Sequence, residues 1–368
     1  MKIIADKNIP FLKGIAEHYG SVQYLDGSEF THENIENADA LIVRTVARFG
    51  KKNLYGSSIK LICSTTIGYD HIDVGYCDAH KIAWRNAPGC NSGSVQQYVV
   101  SSLILLAAKY NFDLRGKTIG IIGVGNVGQK VAKACEILGM QVLLNDPPKQ
   151  NAGDNNNFVS MEKIRQKADI ITFHTPLTRE GKYKTHHLAN DGFFGSLSRK
   201  PFIINSARGS IVETNAIKKA IKEGKISGAV IDCWENEPQI DTGYMNMVDI
   251  ATPHIAGYSA DGKANASRMS LQSLVEFYSL DKSFIELIKV PQPEQPVIDL
   301  NDIESKNRIY EAILQTYNPT SDDQKLRESP ADFKRLRNEY PLRREYFAYR
   351  IENATEKESA VLQGLGFR

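Results

Sequence analysis

At 368 residues the chain is long enough for two or three domains, each with its own core. A net charge of +2, with 42% hydrophobic and 24% charged residues, argues against nucleic acid or an anionic membrane as a general partner. Five cysteines without a C-x-x-C pair argue against a disulfide scaffold or a metal site and for reduced thiols in a cytoplasmic protein.

The apolar stretch after Lys2 ends at Asp6, so no secretion signal is expected. Residues 1–90 alternate strand and helix signals. Lys2–Ala5, Val22–Leu25, Ala40–Val43, Lys60–Ser64 and Ile82–Trp84 read as strands, and Pro10–Tyr19 as a helix stopped by Gly20. This alternation implies a parallel sheet with both faces covered. Asn91 or Ser92 caps a long helix through Ala108 that is apolar on most sides, too short to span a bilayer and better read as buried.

Residues 118–128 then carry G-x-G-x-x-G at Gly123, Gly125 and Gly128, between an apolar run and a helical pattern opened by Asn126 and Val127. A second strand, 141–145, closes on Asp146, 18 residues past the last glycine. The first glycine permits a tight turn, the second admits a pyrophosphate to the backbone, and the third lets helix and strand pack. The helix N-terminus presents N–H groups to phosphate. An acid at Asp146 accepts from ribose hydroxyls and repels a 2′-phosphate, favouring NAD over NADP. Further strands are expected at 169–173, 202–205, 228–232 and 248–251, with a helix over Thr214–Glu223. A helix over 259–280 returns to the first domain. After the proline-rich stretch 291–296, helices are expected at Asp302–Tyr317, Ala331–Tyr340 and Glu356–Leu365, with a strand at Arg344–Ile351.

Open parallel sheets present the carboxyl ends of their strands to ligands. Arg208, Glu237 and His254 fall at such ends. Arginine holds a carboxylate in a planar fork. Histidine near neutral pH accepts a hydroxyl proton, and a carboxylate orients it. On pattern alone Glu235 competes with Glu237, and His71, His174, His186 and His187 compete with His254.

The stretches Ser206-Ala-Arg-Gly-Ser210, Asp232-Cys-Trp-Glu-Asn-Glu-Pro238 and Thr252-Pro-His-Ile-Ala-Gly257, with the glycine fingerprint, resemble the D-isomer-specific 2-hydroxyacid dehydrogenases. Ala87-Pro-Gly-Cys-Asn91, Asp146-Pro-Pro148 and the tail 333–345 resemble a branch that acts on a phosphorylated four-carbon acid in pyridoxal phosphate synthesis. The resemblance implies an α/β protein with two doubly wound parallel-sheet domains and a small C-terminal α+β dimerisation domain. Residues 1–90 with 259–285 would be the flavodoxin-like substrate domain, 91–258 the Rossmann NAD domain, and 291–368 the homodimer-forming unit. It implies His254 as acid/base, Glu237 as its partner and Arg208 as substrate anchor. Positions Gly123, Gly125, Asn126, Val127, Gly128, Asp146, Thr175, Ser206, Ala207, Arg208, Asp232 and Gly257 would contact NAD. Thr45, Thr66 and Tyr258 would contact a small phosphorylated 2-hydroxy acid, whose phosphate would find Arg44, Arg48, Arg343 or Arg344. Position 97 departs from the family's pattern in carrying Gln97 where a glutamate is expected. Two alternatives remain open: another hydroxyacid dehydrogenase, acting on 3-phosphoglycerate or glycerate, and a non-catalytic NAD sensor on the same fold.

Overall fold

The computed structural model describes residues 1–368. The chain divides into two compact units, Met1–Asn91 with Ser259–Gln292 and Ser92–Tyr258 with Pro293–Arg368.

The first unit holds a parallel sheet of β1 (Lys2–Asp6), β2 (Ser21–Leu25), β3 (Ala40–Val43), β4 (Leu61–Ser64) and β5 (Ala83–Arg85). Its spatial order, β2-β1-β3-β4-β5, is the flavodoxin-type winding. Strands β3 and β4 are buried at every position, which is why they read as unbroken apolar runs instead of alternating ones. Ile3, Ile42 and Leu61 face a core shared with Leu271 and Leu274 of the returning helix Ala260–Tyr278. Ile4, Leu41 and Ile62 face the opposite core with Phe30 and Phe49. Ser259 caps the returning helix by accepting from the Gly262 N–H at 2.8 Å.

The helix expected over Pro10–Tyr19 is a series of turns with one 3-10 segment at Ala16–Tyr19. Phe11 and Gly14 adopt positive φ, of 60° and 87°, and a helix cannot run through either.

The second unit is built on β6 (Thr118–Ile122), β7 (Gln141–Asn145), β8 (Ile170–Phe173), β9 (Phe202–Asn205), β10 (Gly228–Ile231) and β11 (Ile250–Ala251). All are parallel, in the order β11-β10-β9-β8-β6-β7. Beyond β7 lies one further parallel bridge, Phe158 to Leu144. Counting it as a vestigial strand gives the dinucleotide-binding order 3-2-1-4-5-6, with its crevice between the carboxyl ends of β6 and β8.

The helix Ser92–Tyr110 is buried along most of its length, and none of the helices is long and apolar enough to cross a membrane. Most of its buried polar groups are met within the unit, the Gln97 side-chain oxygen excepted. Ser101 donates to the Tyr317 carbonyl at 2.9 Å and Ser102 to the Tyr98 carbonyl at 2.8 Å. Gln97 donates to Thr316 Oγ1 and to the Arg344 carbonyl, both at 3.0 Å, a double donation that only the amide, and not a glutamate, supplies.

Residues 293–368 contribute a two-stranded parallel ribbon, β12 (Val297–Asp299) and β13 (Arg350–Glu352), and the helices Arg308–Thr316, Thr320–Glu328, Phe333–Asn338 and Glu356–Leu365. Ile298, Ala312, Ile313 and Leu362 join the core of Leu103, Ile119 and Val131. Leu326 and Phe333 join the core on the sheet's other face, with Ile171 and Ile203. The strand expected over Arg344–Ile351 shrinks to three residues, because β12 offers only three partners and a 3-10 turn occupies Tyr346–Ala348. The helix Thr320–Glu328, rich in Asp, Gln and Lys, had no apolar stripe to announce it.

Candidate active site

The glycine loop is shaped by close approach. Gly123 turns at φ 89°, and a Cβ there would sit 2.7 Å from the His174 carbonyl carbon. A Cβ at Gly128 would sit 2.0 Å from the Gly123 oxygen, so the loop folds onto its own helix. Gly125, by contrast, faces open space. It precedes the helix Asn126–Ile137 without any side chain capping it, which leaves the first-turn N–H groups for an anion. Asp146 accepts from the Val124 N–H at 2.8 Å and from the Lys149 N–H at 3.1 Å, so the acid at the end of β7 also holds the glycine loop. Thr175 Oγ1 and Ser206 Oγ, just past β8 and β9, are buried without a hydrogen-bond partner. The open Gly125 cradle and these two orphaned hydroxyls fit a dinucleotide.

At the end of β9, the Asn205 side chain accepts from the Ala207 N–H at 3.2 Å and donates to the Arg208 carbonyl at 3.0 Å, fixing the turn Ser206–Arg208. A Cβ on Gly209 would fall 1.9 Å from the Trp234 oxygen, so glycine lets this turn press against the loop after β10. The Arg208 guanidinium donates to its neighbour's carbonyl, Ala207, at 2.7 Å, and no carboxylate pairs with it. It retains donors for an incoming carboxylate.

Past β10, the Asp232 carboxylate is buried and organises the segment that carries His254. It accepts from Thr252 Oγ1 at 2.7 Å, the Ile255 N–H at 2.7 Å and the Ala256 N–H at 3.0 Å. Burial raises its pKa despite those bonds and the nearby His254. Tyr98 and the Trp234 indole N–H tie down Thr252, at 2.8 and 2.9 Å. Held this way, His254 adopts φ 58°, a left-handed conformation unusual for histidine. Its Nδ1 lies 2.7 Å from Glu237 Oε2, while Glu237 Oε1 accepts from the Trp234 N–H at 2.8 Å. Burial pushes the Glu237 carboxyl up, but the His254 charge and hydrogen bond, the Trp234 N–H and Arg337 outweigh it and hold the pKa below the ordinary value. Cys233 offers its sulfur within 4.8 Å of this pair, yet burial raises that thiol well above its usual range, so it stays protonated behind them.

The competing residues separate on geometry. Glu235 is bonded to His187 Nε2 at 2.8 Å and to the Thr214 N–H at 2.9 Å, away from His254. His174 is half-buried and bonded to Thr172 Oγ1, and desolvation pushes it down to about 3; His71, beside Ser64, is pushed down to about 4. His186 stacks on His187.

The remaining expected residues lie as follows. Gly257 and Tyr258 follow the His254 segment directly, and the Tyr258 ring meets Tyr340 edge-on at 6.2 Å. In the first unit, Thr45 is exposed past β3, and Thr66, past β4, donates to the Gly68 carbonyl at 2.8 Å. Arg44 pairs with Asp6 at 3.1 Å. Arg343 does not reach outward. It is buried, donating to Ser94 Oγ at 2.5 Å and the Ala256 carbonyl at 2.8 Å, with its guanidinium 3.8 Å from the Tyr317 ring centroid. Tyr98, Trp234 and Thr252, which hold the His254 segment, carry no spacing signal in the sequence.

Comparisons with known proteins identify the family. Residues 97–256 match the model of the D-isomer specific 2-hydroxyacid dehydrogenase NAD binding domain, and residues 290–366 match a domain of unknown function. An erythronate-4-phosphate dehydrogenase of Bacteroides thetaiotaomicron is 51% identical over 352 residues, spanning 95% of this chain and 99% of its own. The chain belongs to the erythronate-4-phosphate dehydrogenase family. A more distant family member, from Porphyromonas gingivalis, is 41% identical over the whole of both chains. Among solved structures, a D-lactate dehydrogenase from Aquifex aeolicus, complexed with NAD and lactic acid, superposes with TM-score 0.62 at 23% identity. It covers 80% of this chain and all of its own, so the family shares that fold.

Proposed function

We propose that the protein oxidises erythronate 4-phosphate at C2 with NAD as acceptor, in pyridoxal 5′-phosphate synthesis, as a cytoplasmic homodimer. The observation that carries the catalytic part is the His254 Nδ1–Glu237 Oε2 bond of 2.7 Å. It commits Nδ1 to the carboxylate and leaves Nε2 to face a substrate hydroxyl. His254 accepts the C2 hydroxyl proton at Nε2, and Glu237 stabilises the imidazolium that results. Arg208 holds the substrate carboxylate, with Thr45, Thr66 and Tyr258 as further substrate contacts. NAD would supply the hydride acceptor for C2. The loop Gly123–Gly128 would hold its pyrophosphate, with Asn126 and Val127 opening the helix, and Asp146 would hold the adenosine ribose. Thr175, Ser206, Ala207, Arg208, Asp232 and Gly257 line the remainder of its site.

The test is nicotinamide absorbance with erythronate 4-phosphate, 3-phosphoglycerate and glycerate, each with NAD and NADP, in both directions. Preferred turnover of erythronate 4-phosphate with NAD is the expected result. Preference for another acid removes the substrate assignment and keeps the chemistry. NAD binding without turnover of any of them favours a sensor.

A further inference from the structure

The substrate just proposed has two anionic ends, and the inference drawn here rests on that reading. Arg208 accounts for one end. The machinery that carries Arg208, Glu237 and His254 lies in residues matched by the general hydroxyacid dehydrogenase model, so nothing in that set answers to a second anion. What distinguishes this chain is the segment 290–366, matched only by a domain of unknown function.

That segment delivers one arginine to the catalytic side of the second unit. The helix Phe333–Asn338 is anchored by Phe333, which is buried, and by Leu336, both in the core that also holds Trp234. On this helix, Arg335 is exposed and paired with Asp332 at 2.7 Å and Glu339 at 3.6 Å. Arg337 points elsewhere. Its guanidinium carbon lies 5.6 Å from the centroid of the Tyr258 ring, four residues after His254. It is half-buried, no carboxylate lies within ion-pair distance of it, and its Nε is buried with no hydrogen-bond partner. Its charge nonetheless reaches Glu237 and Cys233, where it acts alongside His254 and Arg208. Glu237 takes His254 on one oxygen and the Trp234 N–H on the other; it and Tyr258 stabilise the Arg337 charge, but neither forms an ion pair with it within bonding distance. A planar guanidinium over an aromatic ring, partly desolvated and without a close ion-pair partner, is arranged to receive a phosphate through two parallel hydrogen bonds.

We infer that Arg337 binds the phosphate of the substrate, and that the C-terminal segment, besides its packing, brings this guanidinium to Tyr258 and the His254–Glu237 pair. Arg343, six residues on, anchors the same segment to the backbone of residues 255–256 through one nitrogen; its other two are also unpartnered but lie buried beneath the surface.

The experiment compares wild type, Arg337→Ala and Arg337→Lys with erythronate 4-phosphate and with unphosphorylated erythronate, and measures inorganic phosphate as a competitive inhibitor. Arg337→Ala is expected to lower kcat/KM for the phosphorylated acid roughly 10²-fold, mostly through KM, as for a lost buried charge partner. Loss of the Arg337 charge beside Glu237 lowers turnover of erythronate too, but far less than the loss on the phosphorylated acid, and the melting temperature stays close to wild type. The inhibition constant of inorganic phosphate rises in parallel, and Arg337→Lys falls between. An equal loss on both acids, or a phosphate inhibition constant that does not move, overturns the inference and leaves Arg337 a structural or electrostatic neighbour of Glu237. Wild-type protein that oxidises neither acid overturns the substrate reading and this inference with it.

Discussion

Replacing Glu237 with glutamine tests the acid/base pair. Glutamine keeps the side-chain shape and an acceptor for the Trp234 N–H, but its NH2 then faces His254 Nδ1, so both the negative charge and the acceptor for Nδ1–H are lost. Both partners are about one-fifth exposed, at 23% for His254 and 19% for Glu237, so solvent screens the pair only partly. Two unit charges about 4 Å apart at an effective dielectric near 20 attract by about 4 kcal/mol. That interaction exists only once His254 has taken the proton, so its loss falls on the transition state. Some of it returns through water reorganising around the imidazolium, which leaves an expected fall in kcat on the order of 10²–10³-fold. The assay is steady-state NADH formation, with NAD affinity measured separately by fluorescence and expected to hold. Glu235→Gln serves as the matched control, since Glu235 is bonded to His187 and the Thr214 N–H. A Glu237→Gln enzyme within about threefold of wild type, or a Glu235→Gln enzyme as damaged as Glu237→Gln, refutes the pairing argument; a loss within about threefold is smaller than removal of even a single weak hydrogen bond predicts.

Other perturbations follow from the same geometry. Gly125→Ala places a methyl in open space at an ordinary φ of −78°, so the melting temperature should hold while the Kd for NAD rises about tenfold or more. Gly128→Ala collides with the Gly123 oxygen and should lower stability by about 1–3 kcal/mol in urea unfolding. Asp146→Ser removes the carboxylate proposed to hold the ribose and should raise the NADP-to-NAD ratio of kcat/KM by about tenfold, with some loss for NAD because Val124 is freed as well. His174, ordinarily near 6.5, is pushed down to about 3 by burial, so the unfolded chain binds a proton in that window that the folded chain refuses. Stability should therefore fall by up to about 1.4 kcal/mol per pH unit as pH drops from 6.5 towards 3, and be unaffected above 6.5. His174→Gln should flatten the dependence of the urea midpoint across that range.

The central strands were legible because they are buried on both faces. Ala40–Val43 is an unbroken apolar run and Phe202–Asn205 is one up to its final asparagine, and each is a strand at those bounds. The glycine loop was legible because close backbone approach admits no other residue at Gly123 or Gly128. The choice between Glu235 and Glu237 was not legible. Two residues apart after one strand, they are separated only by which histidine the fold brings to each. The arginines of the tail could not be placed for a similar reason. Arg343 and Arg344 stood among the candidate phosphate partners, and only tertiary packing shows Arg343 buried against backbone carbonyls. The helix over Pro10–Tyr19 failed because composition does not register a positive φ at Phe11.

The buried guanidinium of Arg343 bears on how such a chain changes over evolutionary time. It donates to the Ser94 hydroxyl and the Ala256 carbonyl, and Ser94 in turn donates to that same carbonyl. Cutting the chain at the proline-rich stretch would therefore not shed an appendage. It would strip the donor from the backbone beside His254 and uncover the apolar faces that Ile313 and Phe333 seal. A lineage that carries this tail cannot discard it in one step and keep a working centre. Grafting the tail onto a hydroxyacid dehydrogenase that evolved without it would need Ser94 and the matching apolar surface to arrive with it. The two parts are bound to drift as one inherited piece.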